Sequence, residues 1–307
     1  MKIVFVILQY MACNDTLECV DSIRNHVDTG DYKIIIVDNC SPDDSYARVR
    51  SAYKSSKDII LLQSDENLGF ARGNNIGYRY ALENLDPEYI VMLNNDVLLI
   101  QDNIYAILSD CHARHGFAVM GPLIFTADGN YTSSPMIADG KDIPDYMPAS
   151  KEFMQATIKD FKFKLLLIKL HIYRPIRFLY KKFLGKPATR GGSLYFEEHI
   201  NCRLHGAFMA FSKDYMSIFP HGLDDRTFMY DEEYFLQYHV INACLKLLYS
   251  PKYSVYHKED ASTSAMLHTY VKKAKFQMKW MVNSRNLYIE MLEQDEDSCL
   301  PKHGEQL

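Results

Sequence analysis

The chain has no closely spaced pair of cysteines. Cys13, Cys19, Cys40, Cys111, Cys202, Cys244 and Cys299 form no CxxC and keep no regular interval. That speaks against a zinc site and against a disulfide framework, and a reducing, cytoplasmic compartment is the expectation. No apolar run approaches the ~20 residues that a bilayer-spanning helix requires. A chain integral to a membrane is therefore not expected. The opening stretch carries one lysine, Lys2, and its apolar run stops at Gln9 without the small-residue cleavage site of a signal peptide. It reads as a first buried strand. Internal repeats and low-complexity tracts are also missing.

What the chain does have is core material. Of its 307 residues, 48% are hydrophobic and 13% aromatic, enough for one large α/β domain or two small ones. Residues 3–8 read as a strand, and 16–26 have helical spacing with Leu17, Val20 and Ile23 on one side. Strands follow at 33–37 and 58–63, a helix at 74–84, and a fourth strand at 89–93. This alternation predicts an α/β fold with a mainly parallel central sheet flanked by helices. Farther on, residues 127–150 dissolve into Gly, Pro, Asp and Ser and read as irregular loop. A strand at 204–212, a turn at 219–225, an acidic helix start at 230–233, a strand at 254–257 and a long helix over 265–292 complete the pattern.

Ligands of parallel sheets sit beyond the carboxyl ends of the strands, and three stretches there carry polar groups. In the first, Asp38 directly follows an apolar run and precedes turn formers; alone it reads equally as a strand-to-helix loop or as an acceptor for a base or sugar. In the second, residues 66–77 hold Gly69, Gly73 and Gly77 ahead of a helix, which permits close backbone approach to a ligand. The spacing is not that of a dinucleotide fingerprint, and no Lys-Ser or Lys-Thr pair makes it a Walker loop. In the third, Asn94-Asn95-Asp96 interrupts an aliphatic run. A carboxylate at the end of a buried strand needs a cation or hydrogen bonds. Mg²⁺ or Mn²⁺ fits, because these ions take one or two carboxylates together with water and substrate phosphates.

Taken together, "VDNCSPDDS" (37–45), "ENLGFARGNNIG" (66–77) and the stretch around Asn94-Asn95-Asp96 resemble the nucleotide-sugar half of family 2 inverting glycosyltransferases, of the bacterial polysaccharide and rhamnosyl type. "HGAFMAFSKD" (205–214), "GLDDRTFMYDEEYFL" (222–236) and "VYHKEDAST" (255–263) are similar to that family's acceptor-side segments. The resemblance implies a GT-A-type fold. It implies a nucleotide-sugar half over 1–100, an acceptor half over 101–265 interrupted by a basic helical insertion at about 151–190, and a C-terminal helix and tail over 266–307. It places Tyr10 and Asp38 beside the nucleobase, and Asn67, Gly69, Arg72, Gly73 and Asn74 along the nucleotide. Asn94, Asn95 and Asp96 fall on the DXD motif, whose last acid holds the divalent ion at the donor diphosphate. Here Asn94 replaces the first acid, so metal affinity without the donor is expected to be weak. Glu233 falls on the base that deprotonates the acceptor, with Glu232 second to it. His257 matches a histidine that helps to hold the metal or the diphosphate. Gly206, Ala207, Phe208 and Asp225 are expected on the acceptor side.

The implied reaction is metal-assisted, single-displacement transfer of a hexose or deoxyhexose from a UDP- or dTDP-linked donor to a saccharide, lipid-diphosphate-linked in some relatives. A sugar-nucleotide nucleotidyltransferase is the competing enzyme class, but it calls for a basic, Gly-rich phosphate loop where this chain has residues 9–14. A scaffold that has lost catalysis is the non-enzymatic alternative, and the retained Asp96, Glu232, Glu233 and His257 speak against it. Residues 159–190 hold ten Lys or Arg against the single acid Asp160, in a chain of net charge −5. Pro175 divides this stretch into two expected short helices. Interleaved Phe and Leu fit peripheral contact with an anionic membrane at the inner face of the plasma membrane, or packing on the domain itself or on a second subunit in a homodimer. Nucleic acid is not an expected partner.

Overall fold

The computed structural model describes residues 1–126, 134–136, 144–170, 193–258 and 270–299. In chain order the elements are β1 (Ile3–Gln9), α1 (Cys13–His26), β2 (Tyr32–Asp38), α2 (Ser45–Tyr53), β3 (Ile59–Gln63), α3 (Gly69–Leu85), β4 (Tyr89–Asn94), β5 (Val97–Leu99) and α4 (Ile104–His115). They continue with β6 (Val119–Thr126), α5 (Lys151–Lys169), a 3₁₀ turn at Ser193–Phe196, β7 (His199–Ile200), β8 (Phe208–Ser212), α6 (Lys213–Ile218), α7 (Glu232–Asn242), β9 (Leu247–His257) and α8 (Tyr270–Cys299).

The strands form one sheet in the order β3-β2-β1-β4-β8-β6-β9-β5, with β7 on β9. Because β1, β2 and β4 are apolar at nearly every position, both faces must be covered. Successive residues accordingly enter opposite cores. Ile3, Phe5 and Ile7 face a cluster with Val20 and Ile23 of α1, Val49 and Tyr53 of α2 and Leu108 of α4. Val4 and Val6 face a second cluster with Ala71, Tyr78 and Ala81 of α3 and Leu236 and Val240 of α7. A smaller third core joins Met154 of α5 to Tyr234 and Phe235 of α7 and to Tyr288 and Met291 of α8.

The α/β expectation holds, with a refinement of strand direction. β1, β2, β3 and β4 are mutually parallel. β8 then enters antiparallel to both β4 and β6, and β6 pairs parallel with β9. The sheet is thus mixed, because hydrophobic patterning marks a buried strand without marking its direction. The two halves expected to divide near residue 100 share this sheet, since β5 pairs with β9 and β4 with β8. The basic insertion begins as the single helix α5, whereas its expected second helix beyond Pro175 lies outside the described residues, as does most of the expected loop at 127–150.

Helix α3 lies so close to the sheet that a Cβ on Gly77 would come 2.5 Å from Val6 Cγ1 and 3.1 Å from Val37 Cγ2. Overpacking of this kind costs about 1–3 kcal/mol. Gly77→Ala is expected to lower the thermal midpoint by several degrees in a circular-dichroism melt, with secondary-structure content retained.

Candidate active site

The parallel registers bring three strand ends together: Gln9 stands beside Asp38, and Leu8 beside Asn94. A cleft of about 620 Å³ opens over this edge, lined on one side by Tyr10, Asn39, Asn67, Asn94, Asn95 and Asp96. Glu232, Glu233, His205 and His257 also line it, together with the aromatic residues Phe228, Phe276 and Trp280.

At Asn94-Asn95-Asp96 the three side chains have different tasks. The backbone of Asn94 is fixed by its N–H, which donates to Ala207 O at 2.9 Å. Asn95 is buried and donates to Ala12 O at 3.2 Å and to Thr16 Oγ1 at 3.1 Å, which ties the motif to the start of α1. Asp96 is left as the acid of the motif, and its Oδ1 lies 3.2 Å from His257 Nε2. Pairing of Val97 with His257 across β5 and β9 sets that contact. His257 Nδ1 is buried without a hydrogen-bond partner among the described residues.

The second acidic group sits where α7 begins. Tyr230 and Asp231 both have positive φ, 69° and 68°, a conformation that non-glycine residues hold only when their surroundings enforce it. Two contacts from α8 do so here. Ser284 Oγ donates to Met229 O at 3.2 Å, and Arg285 Nε donates to Asp231 Oδ2 at 2.7 Å. Burial raises the Asp231 carboxyl from its ordinary range against the pull of Arg285. The next residue, Glu232, accepts from Thr227 Oγ1 at 3.1 Å. Burial, with the Glu233 charge beside it, pushes Glu232 up to about 8. Glu233 Oε1 accepts from the Gly206 amide at 2.9 Å, and a Cβ at Gly206 would stand 2.7 Å from that oxygen. The neighbouring His205 accepts the Ala207 N–H at its Nδ1, 3.0 Å away, and its ring lies 5.8 Å from that of His257. Burial lowers the His205 pKa, which favours the neutral ring.

Of the residues expected from the sequence, Tyr10, Asn67, Asn94, Asn95, Asp96, Glu232, Glu233 and His257 meet in the cleft. Asp38, Gly69, Arg72, Gly73 and Asn74 are not among the residues that line it. Asp38 is buried and accepts from Gln9 Nε2 at 3.3 Å, the Ser41 amide at 3.1 Å and Gln63 Nε2 at 3.4 Å. The glycine stretch is not a loop ahead of a helix but the first turns of α3 itself. Gly69, at φ 77°, makes room for the Phe228 carbonyl, which accepts from Phe70 N at 2.7 Å. Gly73 admits the Leu8 side chain, and Asn74 donates within the helix to Phe70 O at 3.0 Å. Arg72 is half exposed, 3.8 Å from Glu66. Asp225 is exposed, and it is Asp224 that anchors the turn through His239 at 2.8 Å.

The sequence reading passed over Asn39, His205 and the aromatic wall. Asn39 donates to Asn67 Oδ1 at 3.1 Å and to Gly69 O at 3.0 Å while accepting from Leu68 N at 2.9 Å, so one amide shapes the whole turn. Its position beside Asp38 after a buried strand was the available signal. For the wall, the signal was the chain's single tryptophan, Trp280, which stacks on Phe228 with ring centres 4.4 Å apart.

Glu232 yields a stability prediction. A carboxyl raised from about 4.5 to about 8 in the folded chain binds more protons there than when unfolded, so its contribution falls as pH rises through that window. Glu232→Gln is expected to gain stability relative to the parent at about pH 8.5 and to lose that advantage near pH 5, as denaturant titrations at the two values would show.

Over 101 residues the chain is 28% identical to the low-salt glycan biosynthesis hexosyltransferase Agl10 of Haloferax volcanii, a match that covers 33% of this chain and 31% of that protein. The match thus spans about a third of the length of the curated relative. Among solved structures, GalNAc-T7 with UDP, GalNAc and Mn²⁺ superposes with a TM-score of 0.54 at 14% identity, covering 84% of this chain and 43% of that one. Residues 1–349 of S. aureus TarS give a TM-score of 0.50 at 10% identity, covering 84% and 60%. At such identities the likeness is one of fold, that of the GT-A glycosyltransferases. Residues 5–184, more than half of the chain, match the family described as glycosyl transferase family 2, and the chain belongs to that family.

Proposed function

We propose that the chain transfers a hexose or deoxyhexose from a UDP- or dTDP-linked donor to a saccharide hydroxyl, with inversion, in the assembly of a surface polysaccharide. The observation that carries this reading is the opening of one cleft onto both the Asp96–His257 pair and Glu233. Displacement at a sugar carbon needs a proton acceptor on the attacking hydroxyl and relief of charge on the departing diphosphate, on opposite sides of the reacting carbon. Tyr10, Asn39 and Asn67 stand on the nucleotide side, and the Agl10 name and the UDP, GalNAc and Mn²⁺ of the GalNAc-T7 structure support a sugar nucleotide donor.

Glu233 is the base. Its Oε1 is held by the Gly206 amide, which leaves the second oxygen for the acceptor. Glu232, pushed up to about 8, is protonated at neutral pH, so it sets no like charge against Glu233 and is the poorer proton acceptor. Asp96 and His257 suit Mg²⁺ or Mn²⁺. Two protein donors, one a histidine with an unsatisfied buried nitrogen, match an ion that keeps waters and takes the rest of its shell from phosphate oxygens. When bound, such an ion neutralises charge on the leaving diphosphate. Asn94 lowers the negative charge of the motif, and the site then depends on the donor's own phosphates.

Glu233→Gln is expected to reduce transfer by about 10²-fold or more while leaving nucleotide binding unchanged. Asp96→Asn should abolish the metal dependence of nucleotide binding. Calorimetry with UDP and dTDP, with and without Mn²⁺, tests the whole reading: if Mn²⁺ strengthens the binding of neither nucleotide to the parent chain, the transferase proposal fails.

A further inference from the structure

Helix α5 is apolar on two faces, and among the described residues only one of them is covered. Met154, Ile158 and Ile168 turn inward, where α5 packs along α8. On the outer side Phe163, Leu166 and Leu170 are 58%, 50% and 57% exposed. Their spacing of three and four residues puts them on one stripe. Lys159 begins that stripe, and Lys162 and Lys169 run along its flank, all three exposed. The nearby acid, Asp160, is engaged by Lys164 at 2.5 Å and does not cancel them. A stripe of large apolar side chains beside a row of cations is the pattern of a helix that lies in the interface of an anionic bilayer, with its stems among the headgroups and its ammonium groups on lipid phosphates.

We propose that the outer face of α5 docks on an anionic membrane surface, with Phe163, Leu166 and Leu170 entering the interface and Lys159, Lys162 and Lys169 against the lipid phosphates. A second copy of the chain is the poorer occupant. A two-fold dimer through this stripe would set the lysine row of one copy against that of the other. The docked helix also lies one layer from the chemistry. On its inner side the Phe161 ring packs 4.5 Å from the Arg285 guanidinium, the same group that grips Asp231 beside the two glutamates. Docking would therefore bring the cleft close to the bilayer. The corollary that the acceptor is carried by a lipid rests on the transferase reading, whereas the docking itself does not.

The test is co-sedimentation of the full chain with vesicles of phosphatidylcholine alone and with about one-third phosphatidylglycerol. Binding is expected to the anionic vesicles, to weaken in high salt, and to be absent from the neutral ones. Phe163→Glu combined with Leu166→Glu should abolish it, and serine at all three lysines should weaken it about a hundred-fold. Unaltered circular-dichroism melts would show that the variants fold. Failure to bind the anionic vesicles, equal binding to both compositions, or a dimer in solution that Phe163→Glu splits would each overturn the proposal. Nucleotide titrations followed by Trp280 fluorescence separate this outcome from the other. Vesicle binding lost with Mn²⁺-dependent nucleotide binding intact removes the docking surface alone, and the converse removes the transferase alone.

Discussion

The buried pair of Asp231 and Arg285 is the contact on which the acidic side of the cleft depends. Two consecutive non-glycine residues in the left-handed region are strained, and what holds them lies more than fifty positions downstream on α8. The guanidinium is planar and lies over the Phe161 and Tyr234 rings, 4.5 and 5.7 Å from their centres, so the cation meets aromatic faces as well as its partner. Removing one member of such a pair leaves the other charged and buried, which costs about 3–5 kcal/mol. The helix that first looks like an appendage is thereby part of the support of the segment that carries Glu232 and Glu233.

A second dependence links the two sides of the cleft. The Phe228 carbonyl reaches the first turn of α3 only because Gly69 has no side chain: a Cβ there would lie 1.9 Å from that oxygen. Phe228 in turn carries Trp280 by stacking. The first turn of α3, the segment leading to Glu233 and the aromatic wall are therefore a connected set of contacts. Asn39 extends the set to the end of β2.

Much of this was legible in the sequence, and what escaped has physical causes. Apolar runs at β1, β2 and β4 revealed the buried strands, and polar residues at their ends marked the edge over which the cleft opens, because burial follows from local pattern. The direction of β8 did not, since a run such as that at 208–212 is equally apolar in either orientation. The start of α3 was placed too late because glycines were read as loop formers. In the structure Gly73 and Gly77 serve the close contact of a helix with a sheet. Glu232 and Glu233 were seen as a pair, but adjacency alone could not tell which one is buried beside Thr227 and which one faces Gly206. His205 was not singled out within 205–214, because a histidine before a glycine does not by itself reveal its partner; the tertiary fold sets its ring 5.8 Å from that of His257.

Asn75 gives the turn at 219–225 something close to a strand partner. Its side-chain amide donates to Leu223 O and accepts from Leu223 N, each at 2.8 Å, as a neighbouring peptide group would. The two residues are 148 positions apart in the chain. Contacts of such separation close late, after the entropy of a long loop has been overcome. Until Leu223 is in place, Asn75 lacks the backbone group that meets both ends of its amide. A chain caught half-made at that stage has a floor to its cleft but no opposite wall.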